Sequence, residues 1–176
     1  MRITSGSLKN RKLVAPKGTQ TRPTLEIVRK SIFDALGPSG ATGTFLDLFA
    51  GSGAMSFEAI SRGFSHAYLI ENSFEAIKAI KKNIIDLNIE KQITLYKRRA
   101  QQQVVKLKGY TFDMIFIDPP YEKEVDESTE KLSLATLKQV DALKLLATSG
   151  TLIIETTKKA LPENFEEELN NLRLVK

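Results

Sequence analysis

Two short runs hold residue types that could do chemistry together: Asp118-Pro119-Pro120-Tyr121, and Asp47-Leu48-Phe49-Ala50-Gly51-Ser52-Gly53. In the first, consecutive prolines fix the backbone and remove two amide donors, so the Asp118 and Pro119 carbonyls are free to accept hydrogen bonds from a substrate. Such a rigid, acceptor-rich loop suits the exocyclic amine of a nucleic-acid base, whose lone pair is delocalised into its ring and is a poor nucleophile. Acceptors for its hydrogens, the Asp118 carboxylate and a nearby carbonyl, favour the tetrahedral nitrogen that attacks a sulfonium methyl, while Tyr121 stacks on the base and holds it in line. This is catalysis by positioning and electrostatics, and it needs no metal.

The second run is a glycine turn. Glycines there let a ligand approach the backbone where a side chain would block it. A dinucleotide fingerprint would place a third glycine where Ser56 stands, which argues weakly against NAD or FAD. Asp47 argues more strongly: a carboxylate beside the turn repels a pyrophosphate but accepts a hydrogen bond from the ammonium group of a methionine moiety. Glu71 lies about 20 residues beyond the glycines, where an acid can bind both hydroxyls of a ribose. Each residue also has a plain structural reading. Asp47 could cap a turn, Glu71 could be an ordinary strand-end acid, and Pro119-Pro120 could end a buried strand with Tyr121 as core filler. The set at matched spacing favours a cofactor site for S-adenosylmethionine.

The elements that must position these residues are legible as alternating short apolar runs and longer amphipathic ones. Strands are expected near 44–49, 66–71, 92–97, 112–118 and 150–156, with helices near 54–62, 73–87, 100–107 and 128–147. That pattern is a doubly wound, mostly parallel α/β sheet, whose ligands bind at the carboxyl ends of its strands. Both runs fall at such ends. Ahead of the sheet, Leu25, Val28, Ile32 and Leu36 recur at helical spacing, with Thr24 as a candidate N-cap and Gly37-Pro38 as a stop. Residues 1–23 are expected to be extended or hairpin structure, so the chain divides into a basic N-terminal extension with its helix, 1–38, and a main unit, 39–176. A last apolar stretch, Leu172 to Val175, is expected to begin an antiparallel edge strand.

Composition narrows the chemistry. At 176 residues and 41% apolar content the chain is the size of one domain with a real core. No cysteine and a single histidine exclude disulfides, thiolate zinc sites and a cysteine nucleophile, and no metal site is expected. No apolar run approaches the roughly 20 residues of a membrane span, and the first residues are too polar for a secretory signal; a cytoplasmic protein without a membrane partner is expected. Residues 1–36 carry eight Lys or Arg against two acids, whereas the whole chain nets only +5. The excess positive charge therefore sits in the first fifth of the chain. It suits a polyanionic partner, although a solvated charged extension would look the same.

Which base is methylated turns on Asp118. An ionised carboxylate only accepts, and the N2 edge of guanine offers donors from both N2 and N1, whereas the N6 edge of adenine pairs a donor with an acceptor. Guanine fits somewhat better.

Taken together, the chain resembles the bacterial 16S rRNA guanine-N2 methyltransferases of the RsmD type. The residues that carry the likeness are Arg2-Ile3, Arg11-Lys12-Leu13, Pro16-Lys17-Gly18, Thr21-Arg22-Pro23-Thr24, Val28-Arg29, the Asp47 to Ala54 run, Glu58 to Gly63, Glu71, Asn83, and Asp118 to Tyr121. The resemblance implies a Rossmann-like methyltransferase fold, S-adenosylmethionine as methyl donor, and a guanine of 16S rRNA, free or in a small-subunit assembly intermediate, as acceptor. It implies that cofactor contacts come from Asp47, Phe49, Ala50, Gly51, Ser52, Gly53, Glu71, Asn72, Arg99, Ala100 and Asp118. Catalysis would fall to Asp118, Pro119, Pro120 and Tyr121, and RNA contacts to Arg2, Lys9, Arg11, Lys12, Arg22 and Arg29. Three departures stand out: Asn10 replaces the family's glycine before the first arginine, Lys30 replaces an acid after Val28-Arg29, and Arg98-Arg99-Ala100 stands where an Asp or Asn often contacts the adenine amine. Family members also usually run through another strand after Lys176.

Other readings remain: methylation of adenine N6 in DNA or RNA, methylation of a protein glutamine amide, an RNA-binding module that has lost catalysis, and a nicotinamide oxidoreductase. His66 opens an expected strand and reads as a strand-edge residue; the acids around Glu166 read as a solvated helix face.

Overall fold

The computed structural model describes residues 1–16, 23–37, 43–119, 127–155 and 164–173. Its centre is a five-stranded sheet of β1 (Thr44–Asp47), β2 (His66–Glu71), β3 (Ile93–Lys97), β4 (Phe112–Ile117) and β5 (Leu146–Ile154), in the order β3-β2-β1-β4-β5 with every pair parallel. The chain builds outward from β1 to β3, then returns to place β4 on the other side of β1. The order thus reverses between β1 and β4, where an open α/β sheet leaves a crevice at its carboxyl edge.

The period-two alternation of the strands supplies both core layers. Phe45, Ala67, Leu69, Met114 and Phe116 face one side, against Phe57 and Ile60 of α2 (Ala54–Arg62), Ile80 and Leu87 of α3 (Phe74–Leu87), and Phe33 of α1 (Pro23–Leu36). Leu46, Ile70, Ile115 and Ile117 face the other, against Val104 of α4 (Ala100–Val104) and Leu137 and Val140 of α5 (Glu127–Ala142). Helices on both faces make the sheet doubly wound, as its sequence pattern requires.

Helix ends follow local chemistry. α1 starts at Pro23, one residue before the expected cap, because proline's fixed φ and missing N–H are tolerated in a first turn. α3 is capped by Ser73, whose hydroxyl accepts from the Ala76 amide, and ends at Asn88 in the left-handed region. The largest departure from the expected boundaries is at α5 and β5. The apolar residues Leu143, Leu145 and Leu146 look like a continuing helix, yet α5 stops at Ala142 and Lys144 turns at φ 53°. Leu145 is buried, Leu146 pairs with Phe112, and the register then jumps so that Thr151 pairs with Met114. β5 therefore starts four residues before the expected position and is irregular in its first half. The 100–107 helix is α4 followed by a 3-10 turn at Val105–Leu107.

Residues 1–16 form a hairpin-like loop. Arg2 and Lys12 pair as an antiparallel bridge, the Ile3 amide donates to Arg11, and the Leu13 amide donates to Met1. Asn10 sits at its turn with φ 67°. Its substitution for glycine is thereby explained, since asparagine is the side chain that best tolerates the left-handed region. Ile3 and Leu13 are buried in the same apolar cluster as Phe45 and Phe57. The expected edge strand near Leu172 is not seen at Leu172 or Arg173, which instead follow a turn held by Asp141; the remainder lies outside the described residues.

Candidate active site

Asp47 closes β1, flanked on one side by β2 ending in Glu71 and on the other by β4 running into Asp118. Parallel pairing sets Asp47 opposite Leu69 and Phe116, so all three acids reach the same sheet edge. The glycine turn after β1 is tied to both neighbours: the Leu48 amide donates to Phe116 and the Ala50 amide to Ile70.

The loop's two glycines differ. Gly53 has φ 79°, and a Cβ there would come within 2.6 Å of the Phe57 ring, so this glycine allows α2 to pack. Gly51 has φ 52° and a Cβ there would meet nothing within 4 Å among the described residues. The space before it is open, as a ligand lying against the loop demands. Glu71 spans the mouth of that space. One carboxylate oxygen accepts from the Gly51 amide at 2.7 Å, and the other from the Asn72 and Ser73 amides at 2.7 Å each.

Asp47 is buried, with one oxygen accepting from the Ser56 hydroxyl at 2.8 Å. Burial pushes its carboxyl up to about 7, the Ser56 hydrogen bond opposes the shift, and the Glu71 charge adds to it. Asp118, partly exposed just past β4, is likewise pushed up to about 7 by burial, then by the charges of Glu155 and Asp47. Glu155 follows β5 directly, its amide donating to the Ile117 carbonyl at 2.8 Å. The site therefore concentrates negative charge in a partly desolvated crevice. A cationic ligand, an ammonium or a sulfonium, would relieve that repulsion and draw both protons off.

Sequence reasoning missed two of these residues. Ser56 was weighed only as an absent glycine, whereas its hydroxyl holds Asp47. Glu155 carried a signal, an acid directly after an apolar strand, that matches Asp47, Glu71 and Asp118 at the other strand ends.

Other expected site residues fall as follows. Phe49, Ala50 and Ser52 lie on the glycine turn and Asn72 follows Glu71. Ala100 is buried at the start of α4, where Arg99 precedes the first turn without capping it by its side chain. Pro119 is buried; Pro120, Tyr121 and Arg22 lie outside the described residues. Arg2, Lys9, Arg11 and Lys12 are exposed on the hairpin, although an Arg11 guanidinium N–H donates to the Asp86 carbonyl. Arg29 corrects the expectation of an RNA contact. Its side chain is only 3% exposed, pairs with Glu58 at 3.3 Å and donates to the Arg2 carbonyl at 2.6 Å. It braces the hairpin from inside. Lys30, in place of the family's acid, reverses the local pair by bridging Asp34, which Arg62 also holds at 2.8 Å.

Glu58 is the hub of that brace. It accepts from the Thr4 amide and hydroxyl, the Ser5 amide, Arg29 and Arg62. Burial alone would raise its carboxyl, but the Thr4 bonds, with Arg62 and Arg29, hold it below the ordinary range. His66 opens β2, its Nε2 2.9 Å from the Thr94 hydroxyl, and burial lowers its pKa. No group of three or more metal-ligating side chains occurs among the described residues, and no described helix is long and apolar enough to cross a membrane.

Comparison with known proteins accords with this geometry. Residues 1–176 match the family described as "Conserved hypothetical protein 95". A Bacillus subtilis protein named "Putative rRNA methyltransferase YlbH" is 40% identical over 166 residues, covering 93% of this chain and 86% of that protein. The "Ribosomal RNA small subunit methyltransferase D" of Buchnera aphidicola is 31% identical, covering 93% of this chain and 83% of its own length. Among solved structures, "Putative methyltransferase yhhF" of Escherichia coli superposes with a TM-score of 0.72 at 29% identity, over 88% of this chain and 80% of that one. With a whole-length family match and a sheet edge built to this pattern, the chain belongs to the Conserved hypothetical protein 95 family, the methyltransferases of the RsmD type.

Proposed function

We propose that this protein transfers a methyl group from S-adenosylmethionine to the exocyclic N2 of a guanine in 16S rRNA, acting in the cytoplasm on free rRNA or a small-subunit assembly intermediate. One observation carries the reading: Asp47, Glu71 and Asp118 converge on the switch-point edge of the sheet, around the open face of Gly51. The names of the relatives, rRNA methyltransferases, support RNA as the substrate class.

S-adenosylmethionine, when bound, supplies a methyl group on a positively charged sulfur. The donor set fits it. Asp47 is suited to the ammonium, and Glu71 to the two ribose hydroxyls once its bonds to the Gly51, Asn72 and Ser73 amides loosen. Phe49, Ala50, Ser52, Asn72, Arg99 and Ala100 line the turn and the neighbouring strand ends. Asp118 and the Pro119 carbonyl accept hydrogens from the guanine amine, and Tyr121 of the same loop stacks on the base. Methylation of the guanine N2 would leave one amine proton to be removed. Asp118, ionised once the cationic donor has drawn off its proton, is placed to receive it.

The test is methyl transfer from labelled donor to small-subunit rRNA, followed by digestion to nucleosides. N2-methylguanosine from the wild type, with loss of roughly a hundredfold or more in rate for Asp118→Ala, is the expected result. N6-methyladenosine would move the target base, and an active Asp118→Ala variant would remove the assigned role.

A further inference from the structure

Beyond the acids, the same sheet edge carries a basic surface that the site does not use. α3 begins three residues after Glu71, and its Phe74, Lys78 and Lys81, at spacings of four and three, lie on one stripe of the helix. Phe74 is 76% exposed, the most exposed large hydrophobic side chain described, although it opens a helix whose opposite face is core. Lys97, the last residue of β3, lies near Lys81, and its like charge lowers the Lys81 pKa. Lys97 pairs with Glu71 in register, and Arg98 follows it. None of Lys78, Lys81, Lys97 and Arg98 makes an ion pair with a described acid, whereas Lys82 on the same helix is paired with Asp86. Exposed like charges gathered without an acid partner favour an anion beside them.

We propose that Phe74, Lys78, Lys81, Lys97 and Arg98 form a second RNA-binding surface, on which single-stranded RNA flanking the target nucleotide lays its phosphates while one base stacks on Phe74. The geometry suits it. The stripe from Phe74 to Lys81 is about 10 Å long at helical rise, which spans about two nucleotides of an extended strand. It starts at the residue after the Ser73 cap, next to the proposed cofactor acid. Cations interleaved with an exposed ring form a sequence-tolerant single-strand platform, since every base has a face to stack. This surface lies on an element distinct from the N-terminal hairpin, which docks on the same helix through Asn83. The inference rests on RNA being the substrate.

The experiment compares wild type, Phe74→Ala and the double variant K78E/K81E, all at exposed positions. It uses fluorescence anisotropy with a labelled single-stranded RNA of mixed sequence and a labelled RNA duplex, at several salt concentrations. Calorimetric titration with S-adenosylhomocysteine runs alongside. K78E/K81E is expected to weaken single-strand binding at least tenfold and to flatten its salt dependence by one to two contacts' worth of slope. Phe74→Ala is expected to lose about tenfold on the single strand and little on the duplex. Cofactor-product binding should be unchanged in both. Variants that bind RNA as the wild type does overturn the surface and leave the methyl-transfer reading standing. Equal losses on strand and duplex for Phe74→Ala overturn the stacking role. A wild type that binds no RNA removes both. Wild-type binding lost in the variants, with no methyl transferred to rRNA, removes the methyl-transfer reading alone.

Discussion

Asn83 holds the backbone of Val14 by both ends of its amide: Oδ1 accepts from the Val14 N–H at 2.7 Å and Nδ2 donates to the Val14 carbonyl at 3.0 Å. The same Nδ2 lies 3.4 Å from the Ser52 carbonyl on the glycine turn. One buried side chain on α3 thus fixes the N-terminal hairpin and the glycine turn relative to each other. Asn83→Ala strips these partners at once and should cost about 1–3 kcal/mol, read as a lower urea midpoint. It should also weaken S-adenosylhomocysteine binding, because the turn loses a support; unchanged binding would show that the loop holds itself.

Arg29 and Glu58 form a buried pair, and removing one partner leaves a charge stranded. Arg29→Met should destabilise the protein by roughly 3–5 kcal/mol, whereas Lys30→Met, on the exposed Asp34 pair, should cost under about 1 kcal/mol. Denaturant melts separate the two. Equal small losses would mean that Glu58 is satisfied by Thr4, Ser5 and Arg62 without Arg29.

The two glycines of the turn should separate stability from binding. Gly53→Ala puts a methyl into the Phe57 ring and should lower the melting temperature markedly. Gly51→Ala meets open space and pays only for its positive φ, about 1 kcal/mol, yet it should abolish S-adenosylhomocysteine binding by filling the ligand's place. Calorimetry on a folded Gly51→Ala that still binds would move the site.

Asp47 and Asp118 give the free protein a definite pH dependence. Both carboxyls have folded values raised to about 7 against about 4 unfolded, so between those limits the folded state holds more protons. Stability must then fall as pH rises from about 4 to about 7 and level off above. The contribution of the buried Asp47 is on the order of a few kcal/mol. Asp47→Asn should flatten that slope and raise the melting temperature at pH 8, while weakening S-adenosylhomocysteine. A wild-type melting temperature rising over this range would contradict the shifts.

Ligand binding should carry the same signature in reverse. A cationic ligand that draws protons from these acids binds more tightly as pH rises toward 7. At pH 6 its binding heat should vary with the ionisation enthalpy of the buffer, reporting between one and two protons released. Buffer-independent heats would mean that the acids stay protonated in the complex.

How much of this was legible beforehand follows from which residues act locally. The strand ends at Asp47, Glu71 and Asp118 were readable because an acid closes each apolar strand and a glycine turn, polar residues or prolines follow within four positions. The α5–β5 junction was not, since Leu143, Leu145 and Leu146 satisfy a helical period and only the pairing of Leu146 with Phe112, more than 30 residues away, overrides it. Arg29 was misread for a related reason. Charge counting treats every arginine as exposed, and the partner that buries this one, Glu58, is 29 residues distant. Ser56 was invisible as a functional residue because its role is to hold another side chain.

The hairpin's attachments have a consequence for synthesis. Thr4 is joined to Glu58 and Val14 to Asn83, across separations of 54 and 69 residues. A chain emerging from the ribosome in order makes these first residues long before their partners exist. The earliest segment is therefore among the last to be fixed, and until α3 emerges its buried residues, Ile3 and Leu13, stay open to whatever binds nascent apolar chain. Pulsed hydrogen exchange during refolding should find the Ile3 and Leu13 amides, both hydrogen-bonded in the folded protein, protected only with the α3 amides.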